Sequence, residues 1–399
     1  MAEEPKISKS TQQKRLAVFL DGTWNNVDDD TNVWRLKSLC APLGAVGLVQ
    51  LVYYERGVHG FLGGLFGKGL DQDITDAYQW LTDYYDPGDD VLIFGFSRGA
   101  YTARSLAGFI AKCGLLKSGG ALGVKQLYNR YRRANARTLW ALLDAQNNGT
   151  LGDATLEEQW MLKYSMAIHI KLVGVWDTVG ALGIPLFSIP GISRSTLGFL
   201  TTGLRRPIDN GFHALAIDEH RRSFSPTLWT VRNASNTAPV AAADALPDRP
   251  LSSVEQRWFV GAHANVGGGY ESDLLPQVPL RWIMNKASLY GLAFRNDVEL
   301  DGDVLKASVS DSYRDFLHGA YHLFSRPYYR PIGEPPQQGH DGTNSNVNET
   351  IDASVFARWN ADANYRPPNL AGWAARHRLD ISTLTNSVLA DTPERPAPD

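Results

Sequence analysis

Ser97 is the residue whose surroundings point most clearly to chemistry. It stands in a Gly-x-Ser-x-Gly pattern, with Gly95 two residues before it and Gly99 two residues after it. An apolar run over residues 90–96 leads into the pattern, and a helix-forming run over residues 98–113 follows it. A serine in a sharp strand-to-helix turn needs small residues at these two positions, because the turn is crowded. The pattern therefore predicts a nucleophile elbow that exposes the Ser97 hydroxyl.

A carboxylate and an imidazole in suitable places follow Ser97 along the chain. Asp177 comes directly after an apolar run over residues 167–176, and His263 lies in a glycine-rich stretch after the run over residues 256–260. The chain order serine, aspartate, histidine is the order of α/β-hydrolases, in which the histidine accepts the serine proton and the carboxylate fixes the histidine tautomer. We expect Ser97 to be the nucleophile, His263 the base and Asp177 the acid that orients the base.

Other residues compete for two of these roles. Asp218 is an alternative acid, but Arg221 and Arg222 follow it closely, and a salt bridge with these arginines is the interpretation we favour. Most other histidines, including His213, lie in polar or helical contexts that favour a surface or hydrogen-bonded role. Neither kind of competitor displaces the three residues named above.

These three residues need a parallel sheet to bring them together. Short apolar runs that alternate with helix-forming segments predict an α/β protein with a mostly parallel central sheet flanked by helices. In such a sheet the functional site forms at the carboxyl ends of the strands. The further strands expected are residues 15–20, 46–54 and 228–231, and the further helices expected are residues 69–85 and 126–143.

Negative charge that develops on a substrate requires hydrogen-bond donors beside Ser97. Arg98 would begin the helix and direct its N–H at the site, and the turn after the first strand offers the N–H of Gly22 or Thr23. We expect Asp21 to hydrogen-bond within its own loop. A strand that ends in aspartate also begins phosphotransferases that form an aspartyl-phosphate, but those carry a second aspartate where this chain has Thr23.

Two apolar segments offer contacts for a substrate. Residues 60–67 and residues 182–200 are rich in Leu, Ile, Phe and Gly, and each could line an acyl pocket, act as a lid or form a buried connection. A histidine at the end of another expected strand is a further candidate. The residues we name for substrate contact are Asp21, His59, Phe61, Leu186 and Phe187.

Composition and charge narrow the class of protein. The chain has 399 residues, of which 43% are hydrophobic, and its formal net charge of -3 gives no reason to propose a nucleic-acid partner. The two cysteines, Cys40 and Cys113, have no Cys or His at metal-ligand spacing, so we expect no metal or cofactor. Residues 1–14 are polar and no run is long enough to span a membrane. We expect a protein made in the cytoplasm without a signal peptide, and export by a signal-independent route would leave no such trace.

One domain accounts for most of the chain. We expect it over residues 15–385, between a flexible N-terminus over residues 1–14 and a disordered tail over residues 386–399. Residues 121–163 are predicted to form a helical insertion that caps the sheet, and their basic residues would meet lipid headgroups or line a solvated face. Residues 321–345 are rich in Pro, Tyr, Arg and Gly and predict an extended loop.

Several stretches of the sequence resemble the signature blocks of a known family. They are residues 19–25, 95–104, 174–180, 214–221 and 261–270. Together they resemble the uncharacterised α/β-hydrolase domain family that includes the first class of type VI secretion lipase effectors. The resemblance implies the α/β-hydrolase fold and a serine esterase, with phospholipase activity and with Ser97, Asp177 and His263 in the triad positions.

Asn265 departs from that family, whose members commonly carry aspartate two residues after the histidine. Asparagine keeps the shape of that side chain but loses its charge. A role for a carboxylate there, in metal binding or in tuning His263, is therefore not carried over to this chain.

Three functions remain open from the sequence. The first is a phospholipase or lipid esterase that contacts a membrane surface peripherally, and the second is an esterase for small or polysaccharide-linked acyl groups. The third is a non-catalytic binding protein on the same fold, which the complete set of triad residues disfavours. An immunity or secretion partner cannot be identified from the residues.

Overall fold

The structure is a computed structural model, and the residues that it describes fall into ten ranges. These are residues 13–22, 30–57, 66–133, 135–179, 207–232, 249–270, 273–300, 303–315, 325–334 and 344–391. The expected flexible N-terminus therefore lies almost wholly outside the described residues. The same holds for residues 60–65 and 182–200 of the two apolar segments.

A mostly parallel sheet of eight strands forms the centre of the fold. The described strands are β1 (Lys14–Leu20), β2 (Val49–Glu55), β3 (Asp90–Phe96), β4 (Leu115–Leu116), β5 (Ser165–Met166), β6 (Leu172–Trp176), β7 (Gly211–Ala216), β8 (Thr230–Arg232), β9 (Val254–Phe259), β10 (Asn344–Asn346), β11 (Glu349–Ile351) and β12 (Val388–Leu389). The central sheet has the order β12-β11-β9-β7-β6-β3-β1-β2, and only β11 and β12 pair antiparallel. β4 pairs with β5, and β8 with β10, in two small separate sheets.

Helices cover both faces of this sheet. The described α-helices are α1 (Asn32–Leu39), α2 (Phe66–Tyr84), α3 (Arg98–Cys113), α4 (Val124–Tyr131), α5 (Leu139–Asn147), α6 (Leu156–Tyr164), α7 (His263–Gly267), α8 (Gln277–Leu289), α9 (Ser312–Asp315), α10 (Ala353–Ala361) and α11 (Pro368–His377). α2 and α3 pack on one face, and α1 and α8 pack on the other. Among the described residues, no helix is long and apolar enough to cross a membrane.

The apolar run in β1 is continuous because both faces of this strand are buried. Leu16, Val18 and Leu20 pack toward α2 and α3, whereas Ala17 and Phe19 pack toward α1 and α8. Successive side chains of a strand point to opposite faces, and a parallel sheet with helices on both faces buries both sets. The α/β class and the mostly parallel sheet that the sequence predicts are confirmed.

The strand boundaries differ from the expected ones in several places. The sequence analysis did not predict β7, which lies between β6 and β9 in the sheet. The strand expected over residues 228–231 is β8, which lies outside the central sheet and pairs with β10. β6 begins at Leu172 and not at residue 167. β9 is not the last strand, because β11 extends the sheet beyond it.

The helix expected within the insertion is divided in the structure. The helix expected over residues 126–143 is two helices, since α4 ends at Tyr131 and α5 begins at Leu139. α4 packs against the carboxyl-terminal end of α3, where Phe109 meets Tyr128 at a ring-centroid distance of 5.5 Å. The insertion therefore adds to the helical layer on the α2 and α3 face of the sheet.

Three arginines of the insertion pair with glutamates within it. Arg130 and Arg133 contact Glu157, and Arg130 and Arg137 contact Glu158. Glu158 and Arg130 are buried. These arginines therefore connect α4 and the segment after it to α6.

The ordered fold continues beyond residue 385. β12 pairs with β11, and the indole nitrogen of Trp373 donates to the carbonyl of Ala390 over 2.8 Å. A disordered tail from residue 386 is therefore wrong for residues 386–391, and residues 392–399 lie outside the description. Residues 325–334 form no helix or strand, as expected for an extended loop, but β10 occupies the end of the predicted loop region.

Candidate active site

Ser97 lies in the tight turn between β3 and α3. Its backbone has φ 57° and ψ −120°, and it is the N-cap residue of α3. A Cβ at Gly95 would lie 2.4 Å from the carbonyl oxygen of Gly99, and a Cβ at Gly99 would lie 2.1 Å from the carbonyl oxygen of Leu20. Both glycines are thus required by the close approach of β1, β3 and α3. The positive φ of a serine marks strain that its surroundings hold in place.

The register of the sheet brings Asp177 beside this turn. Phe96 at the end of β3 is paired with Trp176 at the end of β6, and the N–H of Ser97 donates to the carbonyl of Trp176 over 3.1 Å. Asp177 follows directly, with φ 37°, and its N–H donates to the carbonyl of Ala214 over 2.7 Å. Ser97 and Asp177 therefore leave neighbouring strands side by side.

His263 completes a hydrogen-bonded chain with these two residues. It is the first residue of α7, which follows the end of β9. Its Nε2 lies 2.8 Å from Ser97 Oγ, and its Nδ1 lies 2.5 Å from Asp177 Oδ2. With the proton on Nδ1, the ring donates to Asp177 and its Nε2 can accept from the Ser97 hydroxyl. The structure thus brings together the three residues that the sequence placed in a triad.

Aromatic rings hold the His263 ring from two sides. Phe96 lies 4.7 Å from it and Phe224 lies 5.0 Å from it, both between ring centroids. A Cβ at Gly267 would lie 1.9 Å from the Phe96 ring, so only glycine lets α7 approach that closely. The imidazole consequently lies between two aromatic rings, and Ser97 is half-buried beside it.

Asp177 is fully buried, and its carboxylate is held by several groups. Oδ1 accepts from the N–H of Ala216 over 3.0 Å and from Arg330 Nη1 over 2.6 Å, while Oδ2 accepts from Arg330 Nη2 over 3.0 Å. Burial alone would raise the pKa of Asp177, but the charge of Arg330 and the hydrogen bond with His263 hold that pKa well below its usual range. Asp177 is therefore ionised at neutral pH.

Glu219 fixes the start of α7. It is fully buried, and it accepts from the N–H of His263 over 3.2 Å, from Ser312 Oγ over 2.8 Å and from two nitrogens of Arg221. Burial alone would raise the pKa of Glu219, but the hydrogen bond with Arg221 and its charge lower it to about 2. The sequence analysis missed Glu219, although it directly precedes His220 in one of the family-like stretches.

Asp218 has a role other than the one expected, whereas His213 has the hydrogen-bonded role that was one of its two expected roles. Asp218 accepts from the N–H of Gly261 over 2.7 Å and from the hydroxyl of Tyr365 over 3.0 Å, so it braces the loop before α7. The predicted salt bridge between Asp218 and the adjacent arginines is wrong, because Arg221 forms a salt bridge with Glu219 instead. His213 is fully buried in β7, and its Nε2 accepts from the N–H of Thr178 over 3.0 Å.

Comparison with known proteins identifies the family of this chain. The model of the family described as "T6SS, Phospholipase effector Tle1-like, catalytic domain" matches residues 14–286. The chain belongs to this Tle1-like family. The matched range contains Ser97, Asp177 and His263 but not Arg330.

Individual relatives are more distant. An uncharacterized protein of Saccharomyces cerevisiae, YEL023C, is 28% identical over 324 residues, which cover 70% of this chain and 44% of the yeast protein. A crystal structure of an uncharacterized protein from Pseudomonas aeruginosa has a TM-score of 0.41 and 16% identity, covering 70% of this chain and 46% of the other. A structure of the Tle1 effector bound to the VgrG spike of the type 6 secretion system has a TM-score of 0.33 and 17% identity, covering 65% and 51%. This chain spans about half the length of each of these proteins.

Of the expected oxyanion donors, the structure describes Arg98 and Gly22. Arg98 is the first residue of α3, and the N–H groups of a first helical turn point toward the side where Ser97 lies. Gly22 is wrong as a donor in this arrangement, because its N–H donates to Asp21 Oδ1 over 2.7 Å. Asp21 Oδ2 accepts from Thr31 Oγ1 over 2.6 Å and from the Tyr54 hydroxyl over 2.9 Å, so Asp21 braces this corner as expected.

Most of the residues expected to contact the substrate lie outside the described residues, as does the second expected oxyanion donor. These residues are Thr23, His59, Phe61, Leu186 and Phe187.

Asn265 uses both ends of its amide. Its Oδ1 accepts from the N–H of Ala262 over 2.9 Å and from the N–H of Ser310 over 3.1 Å. Its Nδ2 donates to Asp273 Oδ2 over 2.6 Å. Asn265 therefore connects α7 to the two segments that follow it. Within the described ranges no group of three or more His, Cys, Asp or Glu side chains could hold a metal ion.

Proposed function

We propose that the chain is a serine hydrolase of the α/β-hydrolase fold that cleaves carboxylic esters of phospholipids. One observation carries the proposal, namely the hydrogen-bonded chain from Asp177 through His263 to the Ser97 hydroxyl at the carboxyl edge of a parallel sheet. The strained turn at Ser97 supports it, because that geometry presents a nucleophile at the start of a helix.

The first half of the reaction forms an acyl-enzyme. Ser97 Oγ attacks the carbonyl carbon of the ester while His263 Nε2 accepts the hydroxyl proton. The ionised Asp177 holds the Nδ1 proton and stabilises the imidazolium that forms. The N–H of Arg98 donates to the oxyanion, and a donor of this kind lowers the barrier by roughly 3 kcal/mol. The intermediate then collapses as His263 returns the proton to the leaving alcohol.

The second half releases the fatty acid. A water molecule gives a proton to His263 and attacks the acyl carbon, and the acyl–oxygen bond to Ser97 then breaks. Ser97 Oγ recovers its proton from His263. The products from a diacyl phospholipid are one fatty acid and one lysophospholipid.

The lipid substrate is the part of the proposal that rests on family membership. The chain belongs to a family described by phospholipase effectors, and a fold by itself does not specify a substrate. An esterase for small or polysaccharide-linked acyl groups would use the same triad. The substrate therefore needs its own experiment.

An activity-based probe tests the nucleophile. A fluorophosphonate should label the wild-type protein on Ser97 with loss of fluoride, and Ser97→Ala should not be labelled. Ser105→Ala is the matched control, because Ser105 lies about two turns further along α3 and its Oγ donates only to the carbonyl of Tyr101. A folded wild-type protein that resists the probe, or a Ser97→Ala variant that is labelled, contradicts the proposal.

Vesicles test the substrate. Vesicles of diacyl phosphatidylethanolamine and phosphatidylglycerol should release free fatty acid in the presence of wild-type protein and not with Ser97→Ala. A series of nitrophenyl esters from two to sixteen carbons provides the comparison. Probe labelling with hydrolysis of short esters alone would favour the non-lipid esterase, and release of a phosphorylated headgroup would indicate a different bond.

A further inference from the structure

Arg330 contacts the candidate triad from a part of the chain that the family match does not reach. We propose that Arg330 is a positioning residue: its buried guanidinium fixes the Asp177 carboxylate in the plane that His263 requires and balances its charge. This inference rests on the proposed function, because it assigns a role within the same site.

Arg330 and Asp177 form a bidentate ion pair, in which the fork of two guanidinium nitrogens faces the two carboxylate oxygens. Nη1 and Nη2 of Arg330 each donate to a different oxygen of Asp177, over 2.6 and 3.0 Å. The same two nitrogens also donate to the carbonyls of Ala216 and Phe224, over 2.8 and 2.6 Å. Both side chains have no exposed surface. A bidentate guanidinium fixes the direction and the plane of a carboxylate, which a single point charge does not do.

Fixing that plane matters because each oxygen of Asp177 serves two partners. Oδ2 accepts from His263 Nδ1 and from Arg330 Nη2, and Oδ1 accepts from the N–H of Ala216 and from Arg330 Nη1. The terminal torsion of an aspartate has broad wells. Without Arg330, one backbone N–H and the imidazole itself would have to hold the carboxylate. The ring that depends on it would then move relative to Ser97.

The charge of Arg330 leads to a second expectation. Burial raises the pKa of Asp177 and Arg330 lowers it, so an uncharged residue at position 330 would let Asp177 protonate at a higher pH. This change moves the acid limb of the activity profile to higher pH. Among the described residues, Glu219 also interacts with His263, Arg221 pairs with Glu219, and His213 interacts with Asp177.

Arg330 is held in place by the C-terminal part of the chain. Its carbonyl accepts from Asn369 Nδ2 at the start of α11, and Ile332 is buried against α10 and α11. The N–H of Gly333 donates to Glu349 Oε2 in β11. All of these residues lie after residue 286, where the family match ends. The C-terminal part therefore contributes a residue to the site as well as extending the sheet.

Full-length variants at position 330 test the inference. Arg330→Met removes the charge and the fork, and Arg330→Lys keeps a charge without the fork. Arg376→Met is the control, because Arg376 donates to the carbonyl of Ile332 in the same segment but is 43% exposed and remote from Asp177. The readouts are kcat and KM on a nitrophenyl ester, their pH profiles, the rate of Ser97 labelling by a fluorophosphonate, and the thermal midpoint.

The expected result is a split between kcat and KM. Arg330→Met should lower kcat and the labelling rate by roughly 10- to 100-fold, as expected for a small displacement of a catalytic group, with little change in KM. Its acid limb should move to higher pH. Arg330→Lys should lose less activity and keep the wild-type acid limb, and Arg376→Met should keep wild-type kinetics.

A double-mutant cycle with Asp177→Asn asks whether Arg330 acts through Asp177. Arg330→Met should have little further effect on kcat in the Asp177→Asn background, because the group that it positions has been altered already. A full additional loss there would overturn the inference, as would wild-type kcat in Arg330→Met. If Arg330→Met does not fold, the outcome rests on Arg330→Lys, and a folded lysine variant with wild-type kcat refutes the requirement for the fork. Absence of probe labelling in the wild type would instead refute the proposed function.

Discussion

The close approach of α3 to β1 makes Gly99→Ala a sharp test of how the elbow is built. An added Cβ would lie 2.1 Å from the carbonyl oxygen of Leu20 and 2.5 Å from that of Asp21. An ordinary contact between carbon and oxygen is about 3.3 Å or more. The first turn of α3 or the end of β1 must therefore move by roughly 1 Å, since both obstacles are backbone atoms.

This movement would displace the nucleophile. Ser97 is the N-cap residue of α3, so a shift of the first turn also moves the Ser97 hydroxyl and the N–H of Arg98. The hydrogen bond of 2.8 Å between Ser97 Oγ and His263 Nε2 leaves no slack for a displacement of that size. A misplacement of about 1 Å at reacting groups costs roughly 100-fold in rate, and overpacking of a core costs roughly 1–3 kcal/mol of stability.

The assay compares Gly99→Ala with a glycine that has space around it. Gly123 precedes α4, and a Cβ built there meets no described atom within 4 Å. Gly123→Ala should leave the unfolding free energy within about 0.5 kcal/mol and the labelling of Ser97 unchanged. Gly99→Ala should label roughly 100-fold more slowly and unfold at lower urea concentration. Wild-type labelling by a folded Gly99→Ala protein would refute the view that this contact sets the position of Ser97.

Three further predictions concern substitutions that add or remove ionisable groups. Asp177→Asn should lower kcat by roughly 10⁴ with little effect on KM, because an amide at this position stabilises the wrong histidine tautomer, and steady-state kinetics that change less than tenfold would argue against the triad. Asn265→Asp should replace the bond to Asp273 with two facing carboxylates, so urea unfolding at pH 7 should show a loss of roughly 1–3 kcal/mol that shrinks as the pH is lowered toward 4. Burial raises the pKa of Glu349 to about 7, so the folded protein binds this proton more tightly than the unfolded chain. The stability that Glu349 contributes should therefore be complete below its ordinary pKa near 4.5 and be lost as the pH rises through 7. In Glu349→Gln the difference in unfolding free energy between pH 5 and pH 8 should be smaller than in the wild type, and an equal difference would contradict the assigned pKa.

The parts of the fold that the sequence predicted are those with strong local signals. The runs before Ser97, Asp177 and His263 are buried strands, and parallel strands end at one edge of a sheet, so their juxtaposition followed from position alone. β7 was missed because its strand carries a buried histidine, His213, whose side chain satisfies the N–H of Thr178. Apolar periodicity does not reveal a polar residue that is buried by pairing.

The prediction of a single helix over residues 126–143 was wrong, and a signal in the sequence could have prevented this error. Thr138 is the N-cap of α5, and its side chain accepts from the N–H of Ala141. A threonine that precedes an apolar run is a common helix start, so the sequence contained evidence for a break inside residues 126–143.

Arg330 is a residue of the candidate site that no sequence pattern predicted. It lies in a Pro- and Tyr-rich loop with no periodicity, and it is separated from Asp177 by 153 residues. An arginine in such a loop is usually solvated, and only the folded arrangement of β7, β11 and α11 buries it completely against the carboxylate. Removing one partner of a buried ion pair is far more damaging than removing both. The carboxylate after β6 and the guanidinium in the C-terminal segment should therefore be treated as one unit, and variants at either position must be interpreted through the other.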